Sequence, residues 1–202
     1  ASENVTSSHV RKMLGSDFGH RYTATDHFYL GTRFTDQVED IAKRLVVEVF
    51  RSEWADVTPL SGHIADMALL STFARPGDTI MTVSPDHGAY SGIAEVGYPK
   101  ILGLKNLYFP FDKDRCNIQA ERSVELITRE KPRLIILGSS YIPFPHPVEK
   151  IAKACLETGS TVAYDGSHVL GLIAGGAFQQ PLKQGARVLI GSTHKSFFGP
   201  QG

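Results

Sequence analysis

The chain has 202 residues, 42% of them apolar and 21% charged, proportions of an ordinary soluble globular protein of one or at most two domains. Twenty-one Lys and Arg balance 21 Asp and Glu, so the formal net charge is zero. That excludes a nucleic-acid binder driven by a large positive field and speaks against a polybasic membrane anchor. Mean hydropathy is −0.12, and no apolar run approaches the ~18 to 20 residues of a spanning helix.

Two cysteines, Cys116 and Cys155, are too few for a disulfide scaffold, and neither sits in a CxxC or beside a histidine pair. They read as reduced thiols, and no metal site is expected. Asn4-Val5-Thr6 matches a glycosylation sequon, but no charged segment followed by an apolar one opens the chain, so a cytoplasmic location is expected. The start at Ala1-Ser2-Glu3-Asn4 and the stop at Gly199-Pro200-Gln201-Gly202 read as those of a fragment.

In chain order, residues 1–35 read as a polar and aromatic arm with one short helix over Ser8 to Leu14, and residues 36–202 as one large domain. Asp36 is expected to cap an amphipathic helix carrying Val38, Ile41, Ala42, Leu45, Val46 and Val49. Ser61-Gly62 precedes a second helical pattern, Ile64, Met67, Ala68 and Leu70; a turn at Arg75 to Asp78 leads into a strand over Thr79 to Val83. Further strands are expected near Lys100 to Leu104 and Leu107 to Phe109. A helix from about Ala120 ends at Lys131-Pro132, because proline disfavours helical geometry in the residue before it. Leu134 to Leu137 is a continuous apolar run, the pattern of a parallel strand buried on both faces. Pro147 opens a helix through Leu156 that Gly159 closes, and strands follow at Thr161 to Asp165 and Val188 to Gly191. Strand and helix alternating in units of about 20 to 30 residues predict an α/β fold, a mainly parallel sheet between layers of helices.

Open parallel sheets bind ligands beyond the carboxyl ends of their strands. Three polar clusters fall there: Ser139-Ser140-Tyr141, Asp165-Gly166-Ser167-His168 and Ser192-Thr193-His194-Lys195. A fourth, Ser61-Gly62-His63, opens a helix, where backbone N–H groups and the helix dipole favour a phosphate. A phosphate site, a strand-end Asp and a strand-end Lys suit pyridoxal phosphate: the lysine forms a Schiff base and the carboxylate keeps the pyridinium protonated. Each residue also has an ordinary reading. Ser61-Gly62 serves as cap and turn, Asp165 as a cap for the next segment, Lys195 as a solvated lysine, and His168 and His194 as satisfied histidines.

Four stretches resemble one family. They are Ala1 to Asn4, Ser61-Gly62, Tyr164 to Leu172 (YDGSHVLGL) and Ser192 to Gly202 (STHKSFFGPQG). In that order over nearly the whole chain they resemble serine hydroxymethyltransferase, whose fold is that of the fold-type I pyridoxal-phosphate enzymes. The resemblance implies Lys195 as the Schiff-base lysine with His194 beside it, and Asp165 as the pyridinium partner. It implies His168 at the 3-hydroxyl side or at the substrate carboxylate, Ser61, Gly62 and His63 on the phosphate, and Ser139 near the ring oxygen. Ser2 would touch the substrate carboxylate. Tyr22 and Tyr29 match tyrosines that reach a neighbouring subunit's site, which implies a homodimer sharing its active sites.

Departures from the family pattern bear on the reaction. Where the family has Tyr-Ala-Glu-Gly, this chain has Tyr22-Thr23-Ala24-Thr25, so Ala24 stands at the glutamate that handles protons at the substrate hydroxyl and in folate-dependent transfer; Asp26 is two residues off. His87-Gly88-Ala89-Tyr90 replaces His-Gly-Gly-His, so Tyr90 would stack on the ring, and Gln201 stands at a usual arginine. An alanine cannot replace a general acid or base, a role worth about 10²- to 10⁴-fold. The resemblance thus implies aldol-type cleavage of a β-hydroxy amino acid to a glycine carbanion. The hydroxymethyltransferase reaction with tetrahydrofolate stands against a folate-independent threonine aldolase or transaldolase, for which His87, Tyr29 or a water would be the base. A non-catalytic or isolated cofactor-fold fragment is a third alternative.

Overall fold

The computed structural model describes residues 2–24 and 29–202. Asp26 lies outside the described residues.

Helix α1 (Ser8–Leu14) starts where Ser7 Oγ accepts the amide of Val10 at 3.2 Å. Helix α2 (Arg33–Phe50) starts three residues before the expected cap. Asp36 therefore sits in its first turn, where a carboxylate still favours the helix dipole, and its Oδ1 accepts the amide of Ala24 at 2.8 Å. Helix α3 (Gly62–Phe73) is capped by Ser61, whose Oγ accepts from Ile64 N at 3.3 Å, and leads into β1 (Thr79–Thr82).

The strand expected over Lys100 to Leu104 does not form. Pro99, with φ suited to a first helical turn, opens α4 (Tyr98–Ile101), and Gly103 turns the chain at φ 66°, so β2 (Lys105–Tyr108) begins only after it. The hairpin of β3 (Phe111–Asp112) and β4 (Asn117–Ile118) is too short to show an alternating pattern. Next come α5 (Ala120–Glu130) and β5 (Leu134–Leu137). Pro147 then caps α6 (Val148–Thr158), and Gly159 closes it at φ 74°. The last elements are β6 (Thr161–Asp165), the short α7 (Leu170–Ala174) and β7 (Val188–Ile190).

Five strands form one all-parallel sheet in the order β2-β1-β5-β6-β7. Alternate residues of each strand feed two cores. On one face Met81, Ile135, Leu137, Val162 and Tyr164 pack against Ile127 of α5 and Val148, Ile151 and Cys155 of α6. On the other, Ile80, Leu134, Ile136 and Ala163 pack against Leu69 and Leu70 of α3. The chain is thus an α/β protein with helices on both faces of a parallel sheet. Leu134 to Leu137 have no exposed surface, and each such burial stabilises by about 1.5 to 3 kcal/mol. Helix α2 is the exception: its apolar stripe faces outward at Val38, Ile41, Leu45 and Val49. Both cysteines are free, Cys155 buried and Cys116 exposed. Among the described residues no helix is long and apolar enough to cross a membrane, and no group of His, Cys, Asp and Glu could hold a metal ion.

Behind the carboxyl ends of β5 and β6 lies a buried polar network. His146 Nδ1 accepts the amide of Gly138 at 3.2 Å, and Gln179 Oε1 accepts from His146 N at 2.8 Å and from the Tyr164 hydroxyl at 3.0 Å. Burial pushes the His146 pKa down to about 4. The unfolded chain titrates near the ordinary 6.5, so between about pH 7 and pH 4 it takes up a proton that the folded chain refuses, and stability falls with pH. One such histidine accounts for up to about 3 kcal/mol over that window. His146→Asn, which keeps an acceptor at the Nδ1 position, is expected to be less stable at pH 7 and to lose less on acidification. Urea melts at pH 7, 6 and 5 check this; a stability difference from wild type that does not change with pH contradicts it.

Candidate active site

Parallel pairing of β5, β6 and β7 sets three carboxyl ends side by side. Gly138 and Ser139 follow β5, Asp165 closes β6, and Ser192 to Lys195 follow β7. The strands come close here: Gly138 has φ 102°, and a Cβ on it would lie 2.0 Å from the Asp165 carbonyl oxygen, so only glycine fits. The start of α3 reaches the same edge. A Cβ on Gly62 would lie 2.6 Å from Ser192 Oγ and 3.4 Å from Ser167 Oγ, so the helix terminus is pressed against the loops after β6 and β7.

Lys195 and His168, 27 residues apart, meet at 3.2 Å between Nζ and Nε2. Burial lowers the lysine pKa from its ordinary value, against the opposing pull of Asp165 and Asp66. Burial, then Lys195, lower that of His168. Asp165 is 9% exposed, and its Oδ1 accepts the amide of Ser167 at 2.9 Å, so the strand-end cap and the site carboxylate are the same residue. Ser139 Oγ is buried with no hydrogen-bond partner. The loop carrying Lys195 closes on itself through Thr193 N to Gly202 O at 2.8 Å and Thr193 Oγ1 to Pro200 O at 2.6 Å, with His194 Nδ1 3.4 Å from Gly202 O.

Other predicted residues have different neighbours. The exposed His63 ring stacks on Tyr90 at 4.9 Å and 13°. Burial first, then the neighbouring Tyr98, raise the pKa of the Tyr90 hydroxyl. His87 is turned onto Phe111 of β3 at 4.3 Å, with Nδ1 buried and unpartnered. Tyr22 and Tyr29 stack on one another at 5.1 Å on the exposed arm, and their carbonyls accept the hydroxyls of Thr35 and Thr32 at the start of α2. Ser2 is exposed on the same arm.

Comparison with known proteins gives this edge a lineage. The family model described as serine hydroxymethyltransferase matches residues 1–202. The chain belongs to the serine hydroxymethyltransferase family. Curated relatives of that name include those of Methanocaldococcus jannaschii, 46% identical over 205 residues, and Methanopyrus kandleri, 45% identical over 205; each match covers the whole of this chain and 48% of the relative. The relative from Archaeoglobus fulgidus is 44% identical over 204 residues, with 100% of this chain and 47% of its own length matched. The chain thus spans about half the length of the curated relatives it matches.

Within this family member, sequence reasoning overlooked two residues at the edge. Asn4 Nδ2 donates to the Lys195 carbonyl at 3.1 Å, tying the arm to the lysine loop; its place in the Ala1 to Asn4 block was the available signal. Asp66, 3% exposed on α3, has an oxygen with no partner. A lone carboxylate in an apolar helical pattern was the signal there.

Proposed function

We propose that the chain is the cofactor-binding part of a pyridoxal-phosphate enzyme that cleaves β-hydroxy amino acids by aldol-type chemistry, as the name of its relatives implies. The observation that carries this reading is the meeting of Lys195 with His168 beside Asp165 at a helix N-terminus. The residues fit the group. Ser139 Oγ is an orphaned buried hydroxyl facing no protein acceptor or donor. The first amides of α3 lack partners inside the helix, and Gly62 leaves no side chain over them.

Bound there, pyridoxal phosphate supplies an electron sink for charge developing at the amino acid's α-carbon. The amides of Gly62 and His63 would hold its phosphate, Asp165 its ring nitrogen and Ser139 its ring oxygen. Burial of Lys195 raises the share of neutral amine, the form with a lone pair for a carbonyl carbon. His168 Nε2, at 3.2 Å, can take the proton the ammonium gives up and return it.

A folate-independent reaction, an aldolase or transaldolase acting on threonine-like substrates, is favoured by Ala24. Its side chain has no proton to give, and its amide is held by Asp36 at 2.8 Å. Threonine releases acetaldehyde rather than formaldehyde, so the product needs no tetrahydrofolate to trap it.

The outward stripe of α2 supports a homodimer. Val38, Ile41, Leu45 and Val49 are 53%, 47%, 54% and 44% exposed, a contiguous apolar face flanked by the exposed Tyr22 and Tyr29. A second copy covering it would bury the stripe and bring the partner's arm to the site.

Three measurements test these readings. Borohydride reduction of the full-length protein with pyridoxal phosphate is expected to fix the cofactor to Lys195 by peptide mapping, and Lys195→Ala to abolish both labelling and turnover; labelling elsewhere would refute the cofactor assignment. Threonine cleavage and exchange with an added aldehyde are expected to proceed without tetrahydrofolate, whereas large folate stimulation of serine cleavage with no such exchange restores the hydroxymethyltransferase reaction. Light scattering is expected to give a dimer for wild type and a folded monomer for Leu45→Glu; a variant that stays dimeric places the interface elsewhere.

A further inference from the structure

Among the described residues at this edge, Asp66 is the carboxylate to which the mechanism gives no task. It lies four residues after Gly62 and so on the same face of α3, one turn deeper than the contact of that face with Ser167 and Ser192. It is 3% exposed and its Oδ1 has no hydrogen-bond partner. From the neighbouring elements Asp165 at the end of β6 and Lys195 after β7 act on it, and Asp66 in turn acts on the phenol of Tyr90. Lys195 has its amine against His168.

Two carboxylates in one poorly solvated site repel each other, and an unpartnered buried carboxylate has lost its water without replacement, so such a site sheds charge by keeping a proton. We infer that Asp66 holds that proton: it stands at this edge as a neutral acid, a positioning residue for the site that Asp165 and Lys195 share. Burial first, then Asp165, push the Asp66 pKa to about 9, with Lys195 opposing. The neutral acid adds no charge to this poorly solvated edge at neutral pH, and its O–H is a donor that a carboxylate lacks. Its role toward the ring nitrogen rests on the proposed cofactor; its proton does not.

The sign of the linkage makes this testable without cofactor. The unfolded carboxyl ionises near 3.8 and the folded one near 9, so folding takes up a proton throughout that range and Asp66 costs stability as pH rises. Infrared titration of the cofactor-free full-length chain is expected to show a protonated-carboxyl stretch at pH 7 that disappears with a midpoint near pH 9 and is missing from Asp66→Asn. The melting temperature of Asp66→Asn relative to wild type is expected to climb from pH 5 to pH 9. Absence of the band from wild type at pH 7 overturns the inference even where the variant fails to fold, as does a melting difference that ignores pH. Pyridoxal phosphate binding, followed by absorbance, forms a separate arm. If wild type shows the infrared band and binds no cofactor, the proton on Asp66 stands and the proposed function falls.

Discussion

The close pass of β5 over β6 governs the rest of this edge. With no room for a side chain between Gly138 and the Asp165 carbonyl, Ser139 and Asp165 cannot drift apart without breaking the buried pairing of β5 with β6. The same glycine donates to His146, and His146 and Tyr164 share Gln179, so the strand ends are backed by polar groups whose partners are all protein. Interiors packed this closely have discrete arrangements rather than a continuum. The spacing of the candidate site is therefore a property of the sheet, and loops only complete it.

One physical cause, partial exclusion of water, sets the protonation of several groups there. It lowers the pKa values of Lys195 and His168 and raises that of Asp66. In each case the neutral form gains. Neutral amines and imidazoles have lone pairs and a neutral acid has a proton to donate, so desolvation leaves groups ready to exchange protons with a bound molecule instead of salt bridges that would hold them apart.

Much of this was legible in the sequence, for reasons that also explain the failures. Leu134 to Leu137 and Thr161 to Asp165 are apolar runs of strand length between proline and glycine punctuation, and the structure places strands on those residues. Lys100 to Leu104 has similar composition, but Pro99 and Gly103 impose a helical turn and a left-handed bend that outweigh side-chain preference. On α2 the periodicity predicted a helix correctly. It carried no information on whether the apolar side meets the same chain or another surface, and that side faces outward. At the site, the order Ser61, Asp165, Lys195 was readable because parallel topology sends strand ends to one edge. The pairing of His63 with Tyr90 and of His87 with Phe111 depends on side-chain rotation, which no spacing rule encodes. Asp66 escaped notice because α3 is apolar on nearly all sides, which hides a single polar position.

The hydrogen bond from Asn4 to the Lys195 carbonyl joins residues 191 apart. Closing a loop of that length costs chain entropy that local contacts do not repay, so such contacts form late in folding. Strands β1, β5 and β6 can pair and bury their apolar faces without the arm, and the lysine loop has its own local closure through Thr193, so the Asn4 bond adds a long-range tie to a loop already folded on itself. The sheet's stability and the arm's hold on the lysine loop are thus carried by different contacts, and a change at Asn4 would loosen the second without touching the core.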